Sequence, residues 1–351
     1  MALREALHLV DVLAGTGGAL ATRVAGEIAF TGVSIDSRTI APGALFVAIR
    51  GPRFDGHDFL AEAAGRGARA ALVERAADGP AGLPLVRVAD TTKGLADLAR
   101  HVRRAAAIPV VGVTGSVGKT TTKDMTAHLL ATRGTVLKTE GNLNNQYGLP
   151  LTLLRIAPEH TAAVLELGMS APGEMSALSR LAEPDVATIT RIAPVHLEFF
   201  PSVDAIAEAK AEILEGLRPG GTAVLNGDDP RLRAIGKRFS GRVVWFGHDR
   251  RFEVSAENER TDARPAMTFD LCVASRSVAV ALPLAGPHFV EDFLAAAAAA
   301  HVLGVPIEAM AEAAISLRPA RHRGEVRRLG EGVVLLEIGR ASCRERVSID
   351  V

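Results

Sequence analysis

The segment from Pro109 to Thr122, PVVGVTGSVGKTTT, concentrates the residues best suited to chemistry in this chain. An apolar run ends at Thr114, a turn with two glycines follows, and a threonine-rich helix start comes next. Gly115 and Gly118 let backbone N–H groups approach phosphate oxygens, and a helix N-terminus adds a dipole that favours anions. Thr114, Gly115, Ser116, Val117, Gly118, Lys119, Thr120 and Thr121 therefore form a candidate phosphate cradle. Lys119 would neutralise the β- and γ-phosphates, and the Thr120 hydroxyl suits Mg²⁺. The strict pattern GxxxxGK[ST] would place a glycine at position 113, where Val113 stands. The loop is thus a variant, TGSxGKT. The apolar strand before it and the helix after it set it apart from a chance Gly-Lys-Thr turn, and the expected ligand is a nucleoside triphosphate.

Other residue groups gather around this loop in the predicted topology. Glu166 ends the apolar run from Ala162, and His196 follows another such run after a short loop. Carboxyl ends of neighbouring strands are where a metal bound to a triphosphate can be reached, so Thr120, Glu166 and His196 form a candidate metal set. Taken singly, each is equally a strand-end residue solvated in a loop. Lys210 stands in a helix with Glu208 and Glu212 close by, the usual pattern of a solvated helix face. The amide-rich stretch 141–150 contains Asn142, Asn144 and Asn145 and reads as a polar recognition loop or a polar turn. Near the N-terminus, Ser34, Asp36, Ser37 and Arg38, and then residues 51–59, concentrate hydrogen-bonding groups. Arg38 suits a phosphate, and Asp36 or Ser37 a sugar or base.

These residues need a scaffold, and the hydrophobic pattern predicts one. From Pro109 the chain alternates apolar strands (109–114, 135–138, 162–167, 186–190, 222–225, 243–246) with helices near 119–132, 172–182, 203–217 and 229–238. Strands without polar alternation are buried on both faces, which marks a mostly parallel sheet flanked by helices. A less regular strand pair around 252–284 and helices at 289–303 and 306–316 follow. Before this region, short strands near 29–34, 44–49 and 70–74 surround a helix at 59–66, and the turn-rich stretch 77–84 ends a segment. A strand at 85–88 and a helix at 92–104 lead into the central region. The expected fold class is α/β: a small N-terminal α/β substrate domain, then a central phosphate-loop ATPase-type sheet.

Bulk composition narrows the function classes. Lys+Arg and Asp+Glu are both 40, so no global charge favours nucleic acid or an anionic membrane. One Trp and one Tyr leave no stacking platform for single strands. Two cysteines, Cys272 and Cys343, cannot build a disulfide framework and suit a reducing compartment. Charges inside the apolar pattern of the first residues argue against a signal peptide. The apolar run 293–303 is about half a membrane span and reads as a buried helix. A cytoplasmic monomer is the expectation.

At this point the motifs match a family. The chain resembles the Mur ligases through SIDSRTIAPGALFVA at 34–48, DGHDF at 55–59, KTEGNLNN at 138–145, ELGM at 166–169 and APVHLE at 193–198. The first two motifs are shared with MurE; the later three resemble the branch that adds D-Ala-D-Ala to UDP-N-acetylmuramoyl-tripeptide. The resemblance implies ATP and Mg²⁺ as cofactors, phosphorylation of the tripeptide carboxylate, and attack of the D-Ala-D-Ala amine on the acyl phosphate. It implies catalytic roles for Lys119, Lys210 and His196. Lys210, in AKAE at 209–212, matches a lysine that is carbamylated in the family and then helps hold a second Mg²⁺ with Glu166 and His196. Asn144 and Asn145 match a loop facing substrate and phosphate, Ser34, Ser37 and Arg38 the nucleotide-sugar side, and His288 the nucleotide site. A MurE-type amino-acid ligase, a folate polyglutamylating enzyme and a nucleotide-binding module without turnover are the alternatives.

Two departures from the family pattern stand out. HFVED at 288–292 places Phe289 and Asp292 where the family has two amides that read adenine. After VVLL at 333–336 the family continues into a Rossmann-like C-terminal domain, whereas here residues 337–351 lack periodicity and read as what an in-frame sequencing adapter would encode. The implied organisation is a UDP-sugar-binding domain at 1–82, an ATP-binding domain at 83–318, the start of a truncated third domain at 319–336, and a non-native tail at 337–351. A chain of this kind is expected to fold in large part without ligating. Resequencing the source DNA is expected to show adapter sequence from codon 337; genomic sequence across it would refute the tail.

Overall fold

The computed structural model describes residues 6–22, 24, 26–75, 79–80, 82–195, 197–261, 266–284 and 286–318, and the backbone of 325–330 and 333–337. Two compact units emerge. One holds the residues up to Ala107 together with Glu140–Glu159; the other holds Ile108–Thr139 and the chain from His160 onward. The first division falls at Ala107, not at the turn-rich stretch 77–84. The reason is strand pairing: Leu85–Arg87 lies parallel to Ala70–Val73, so it belongs to the first unit's sheet.

That sheet has five strands in the order Ala19–Leu20, Leu85–Arg87, Ala70–Val73, Leu45–Val47, Val33–Ser34. The helix Thr91–Ala106 covers one side with Leu95, Leu98, Ala99 and Val102, the apolar stripe expected from the 3.6-residue period. Asp90 caps it by accepting from the Lys93 N–H at 2.8 Å. Two helices went unread in the sequence, Leu9–Thr16 and Gly148–Leu153. The second is only six residues long and sits inside an amide-rich stretch that looks like a turn.

The DGHDF segment serves this unit from within. His57 is buried at 3% exposure, and its Nε2 accepts from the Glu74 N–H at 2.9 Å. Nδ1 must therefore carry the proton, which it donates to Asp55 Oδ1 at 2.6 Å. Burial pushes the Asp55 carboxyl up, but the His57 backbone N–H and imidazole outweigh it and hold the group below the usual range. Glu74 Oε1 in turn accepts from the Thr91 N–H, and the Thr91 hydroxyl donates to the Ala48 carbonyl. Much of the donor density that suggested a ligand site at 51–59 is consumed in joining strand ends to the helix start.

The second unit carries a nine-stranded sheet. Its order is Thr135–Lys138, His160–Glu166, Val110–Thr114, Val186–Ile189, Thr222–Asn226, Arg242–Gly247, Val254–Thr261, Met267–Val273, Arg276–Leu282. Pairing is parallel through Val254–Thr261 and antiparallel in the last two steps. The region 252–284 thus holds three strands where the sequence suggests a pair. Their alternating burial, with Met267, Phe269, Leu271 and Val273 inward, is the pattern of a sheet covered on one face. The helix Pro287–Val302 is the core of this unit: Phe293 through Ala300 are fully buried. Its alanines let it lie close to the sheet and to the helix Lys119–Leu130.

Replacing His57 by Ala leaves the Glu74 N–H and the Asp55 carboxylate without their buried partner. The expected loss is on the order of 2 kcal/mol, read as a lower urea midpoint for the first unit.

Candidate active site

The sheet order puts the candidate residues at one edge. The chain runs from Val110–Thr114 outward to Thr135–Lys138, back to His160–Glu166, and then to Val186–Ile189 on the other side. Val110–Thr114 therefore stands beside the point where strand order reverses, the place where open α/β sheets bind ligands. Parallel register sets Glu166 against Val113 and Ile189 against Thr114, so Gly115, Leu167 and Thr190 emerge together.

The loop after Thr114 has the geometry of a cradle. Gly115 and Gly118 adopt φ of 154° and 84°, a region that side chains rarely occupy. Space forbids side chains as well: a Cβ at Gly115 would lie 2.0 Å from Thr190 Oγ1, and one at Gly118 2.2 Å from Asp292 Oδ1. Gly118 caps the helix Lys119–Leu130 with no side-chain bond to its first-turn N–H groups, so those donors suit an anion. Lys119 Nζ bends back over the loop and donates to the Gly115 carbonyl at 2.9 Å. Thr120 and Thr121 open the helix, both half-buried. Two loop side chains are spent internally: the Thr114 hydroxyl donates to the Leu167 carbonyl and the Ser116 hydroxyl to the Ala193 carbonyl. Val117 is exposed.

Glu166 is 3% exposed at the end of its strand, and its N–H donates to Thr139 Oγ1 at 3.0 Å. His196 lies outside the described residues. No cluster of three or more His, Cys, Asp or Glu arranged to hold a metal occurs among the described residues. Mg²⁺ does not need one, since it is bound by one or two carboxylates, waters and substrate phosphates. Thr120 and Glu166 are the described donors that fit this use.

Lys210 overturns the solvated-helix reading. It is 2% exposed, and neither neighbouring glutamate reaches it. Glu208 pairs with Arg238 at 2.6 Å, and Glu212 accepts from the Gly173 and Ser176 N–H groups at the start of the helix Glu174–Ala182. Burial first, and the Lys119 charge second, hold the Lys210 amine well below its usual value. Both effects disfavour the ammonium form and favour the neutral amine, the form that can take up CO₂.

Residues 288–292 lie behind the loop. Asp292 Oδ1 is 3.4 Å from the Thr122 hydroxyl, and Phe289 is buried. Glu291 accepts from Asn226 Nδ2 at 2.6 Å and pairs with Arg191. Burial lowers the His288 imidazole against the opposing pull of Glu291.

In the first unit, a cavity of about 540 Å³ is lined by Ser34 and Asp36 together with Asp11, Thr39, His101 and Arg155 among others. Ser37 and Arg38 are not in its lining. Ser37 is buried and donates to Glu62 Oε2 at 3.0 Å, while Arg38 forms a two-pronged pair with Asp36. That pair, opposed by burial, lowers the Asp36 carboxyl. Asn145 Oδ1 accepts from the Tyr147 and Gly148 N–H groups and so starts a helix. Asn142 is exposed and Asn144 half-buried.

Comparison with known proteins agrees with this geometry. The profile of the Mur ligase middle domain matches residues 113–300, and that of the Mur ligase family catalytic domain matches residues 29–103. The UDP-N-acetylmuramoyl-tripeptide–D-alanyl-D-alanine ligase of Escherichia coli K12 is 38% identical over 317 residues, covering 89% of this chain and 69% of the relative. The chain belongs to the Mur ligase family. Crystal structures from the same family carry the fold: MurF from Acinetobacter baumannii superposes with a TM-score of 0.88 at 32% identity, covering 95% of this chain and 73% of that one. The MurF ligase from Thermotoga maritima, solved with ADP, gives 0.77 at 32% identity, covering 87% and 70%. For this Mur ligase, Thr190, Glu291 and Asn226 are the site's supporting residues that sequence reasoning missed. A threonine at a strand end carries no signal until the register shows what it faces.

A lysine whose folded-state value is lowered binds fewer protons folded than unfolded. Stability therefore rises with pH from the folded-state value up to the free-lysine value of about 10.4. Lys210→Met is expected to flatten that rise and to raise the urea midpoint at neutral pH. An unchanged slope would show that Lys210 is not the group responsible.

Proposed function

We propose that this chain carries the nucleotide-binding and UDP-sugar-binding parts of an ATP-dependent amide ligase of the MurF type, the reaction being addition of D-Ala-D-Ala to UDP-N-acetylmuramoyl-tripeptide in peptidoglycan precursor synthesis, with the chain as given expected not to ligate. The observation that carries the proposal is the phosphate loop with Lys119 folded over it, Glu166 at the end of the adjacent strand, and a buried Lys210 near enough to feel the Lys119 charge. An ammonium and helix-start N–H donors at one edge suit a reaction that gathers negative charge on phosphate oxygens. The substrate chemistry matches. A carboxylate is a poor acylating agent; its oxygen bonds to the γ-phosphorus as the bond to ADP breaks. The amine nitrogen of D-Ala-D-Ala then bonds to the acyl carbon, phosphate departs, and the nitrogen loses a proton.

In this reading the chain's own residues hold and orient. The N–H groups at the start of the helix Lys119–Leu130 and the Lys119 ammonium hold the phosphate oxygens. Mg²⁺, when bound, supplies charge neutralisation between the phosphates and the carboxylate. Thr120, Glu166, His196 and the Lys210 carbamate are the residues that would hold it, the last because carbamylation would place an anion beside Lys119. His288 and the loop residues from Thr114 to Thr121 line the ATP side. Ser34 and Asp36 line the cavity that would take part of the UDP-linked substrate, with Ser37, Arg38, Asn142, Asn144 and Asn145 as further candidates. Residues 1–82 with the following strand and helix and with 140–159 would form the UDP-sugar-binding domain, and 108–139 with 160–318 the ATP-binding domain. No described helix is long and apolar enough to cross a membrane, and the proposed setting is a cytoplasmic monomer.

Two measurements test the proposal. Lys119→Ala is expected to weaken ATP binding at least tenfold, since hydrogen bonds to charged groups contribute about 1.5–3 kcal/mol; undiminished binding would overturn the assignment of the loop. In a ligase that joins this chain to the C-terminal domain of a MurF relative, a panel of D-Ala-D-Ala, diaminopimelate, L-Lys and L-Glu should show ADP formation with the dipeptide alone. Preference for a single amino acid would favour a MurE-type ligase.

A further inference from the structure

The phosphate loop satisfies its inward-facing carbonyls with donors of its own unit. Lys119 Nζ serves those of Gly115 and Ser116, at 2.9 and 3.4 Å. The carbonyl of Val117 is served by Thr190 Oγ1 at 2.6 Å. Thr190 is 3% exposed and directly follows the strand Val186–Ile189. Its N–H donates to the Thr114 carbonyl at 3.0 Å, so its backbone is fixed by the sheet itself. The hydroxyl also lies 3.4 Å from the Thr114 carbonyl. A hydroxyl has one proton, and the shorter contact takes it.

This bond has a geometric consequence. A trans peptide points its C=O and N–H in opposite directions. Holding the Val117 carbonyl inward therefore holds the Gly118 N–H outward, toward the face where the helix start presents its other free N–H groups. Glycine at 118 makes that peptide easy to turn over, because its φ is not confined by a Cβ. The same hydroxyl occupies the space that a side chain at Gly115 would need, 2.0 Å from its ideal Cβ. Sheet, loop and helix start thus converge on one buried oxygen.

We infer that Thr190 is a positioning residue for nucleotide binding: its hydroxyl fixes the orientation of the Val117–Gly118 peptide and so keeps the Gly118 N–H aimed at the β-phosphate. The inference rests on the phosphate-loop reading. It adds a residue from a different strand that sets the loop's donor direction without touching the ligand. The effect is confined to phosphate recognition, because nothing in the contact involves the base or sugar side.

The test is calorimetric binding of ADP and AMP, with Mg²⁺, to the native chain and to Thr190→Val, Thr190→Ser and Lys119→Ala. Thr190→Val keeps the shape and removes the hydroxyl; ADP should bind about tenfold more weakly, with AMP changed less than twofold, as loss of one orienting hydrogen bond implies. Thr190→Ser restores the hydroxyl and should bring ADP affinity back to the native value, which a purely structural role for the methyl group would not do. If the valine variant does not fold, Thr190→Cys against Thr190→Ser makes the same comparison, since a thiol is a weak donor. Equal ADP affinity in the native and valine (or cysteine) proteins, or equal weakening of ADP and AMP, overturns the inference alone. Native protein that binds ADP no better than Lys119→Ala overturns the phosphate-loop reading and the inference with it.

Discussion

A loop that offers its N–H groups to an anion must place its carbonyls elsewhere, and each buried carbonyl needs a donor. In this chain that requirement organises the surroundings of the loop from Gly115 to Gly118. Lys119 folds back from the helix to serve two carbonyls, and Thr190 serves a third from the next strand. One loop donor is used internally, the Ser116 N–H bonded to the Arg191 carbonyl at 2.7 Å. Around this, Glu291 and Asn226 tie Arg191 to the neighbouring strand end, and Asp229 accepts from the Ile192 N–H while capping the helix Pro230–Arg238. The backing of the cradle is thus tied to two neighbouring strand ends and a helix start by hydrogen bonds.

Charge follows from the same arrangement. The chain is neutral as a whole, yet Lys119 and a fully buried Lys210 sit near enough for one to lower the other. Two like charges at a dry sheet edge are costly unless one loses its proton or an anion joins them. Global composition gave no sign of this, because the two lysines lie 91 positions apart in the sequence and meet only through the fold.

Much of the fold was legible. Val110–Thr114, Val186–Ile189 and Thr222–Asn226 are unbroken apolar runs, and such runs admit few readings besides a buried parallel strand. The phosphate loop was legible because glycine, lysine and threonine at fixed spacing have a backbone reason to occur together. Harder segments share one trait, a meaning set by tertiary partners. Lys210 looks solvated beside Glu208 and Glu212 until Arg238 and the helix at 174 are seen to claim both glutamates. His57 stands in a donor-rich stretch that suggests a ligand site until the Glu74 N–H is found opposite it. The helix Gly148–Leu153 begins on Asn145, whose amide reads equally well as a turn.

The excursion of Glu140–Glu159 has a consequence for how the molecule is made. The chain leaves the second unit after Thr139 and returns to it at His160, so neither unit is a continuous stretch of polypeptide. A nascent chain emerging from the ribosome cannot finish the first unit at Ala107; it must first extrude the strand Val110–Thr114 and the helix Lys119–Leu130. These apolar elements then wait, through the synthesis of most of the remaining sheet, for the helix Pro287–Val302 that buries them. Vectorial folding of one domain before the next, the simple order for many multidomain chains, is closed to this one by its own connectivity.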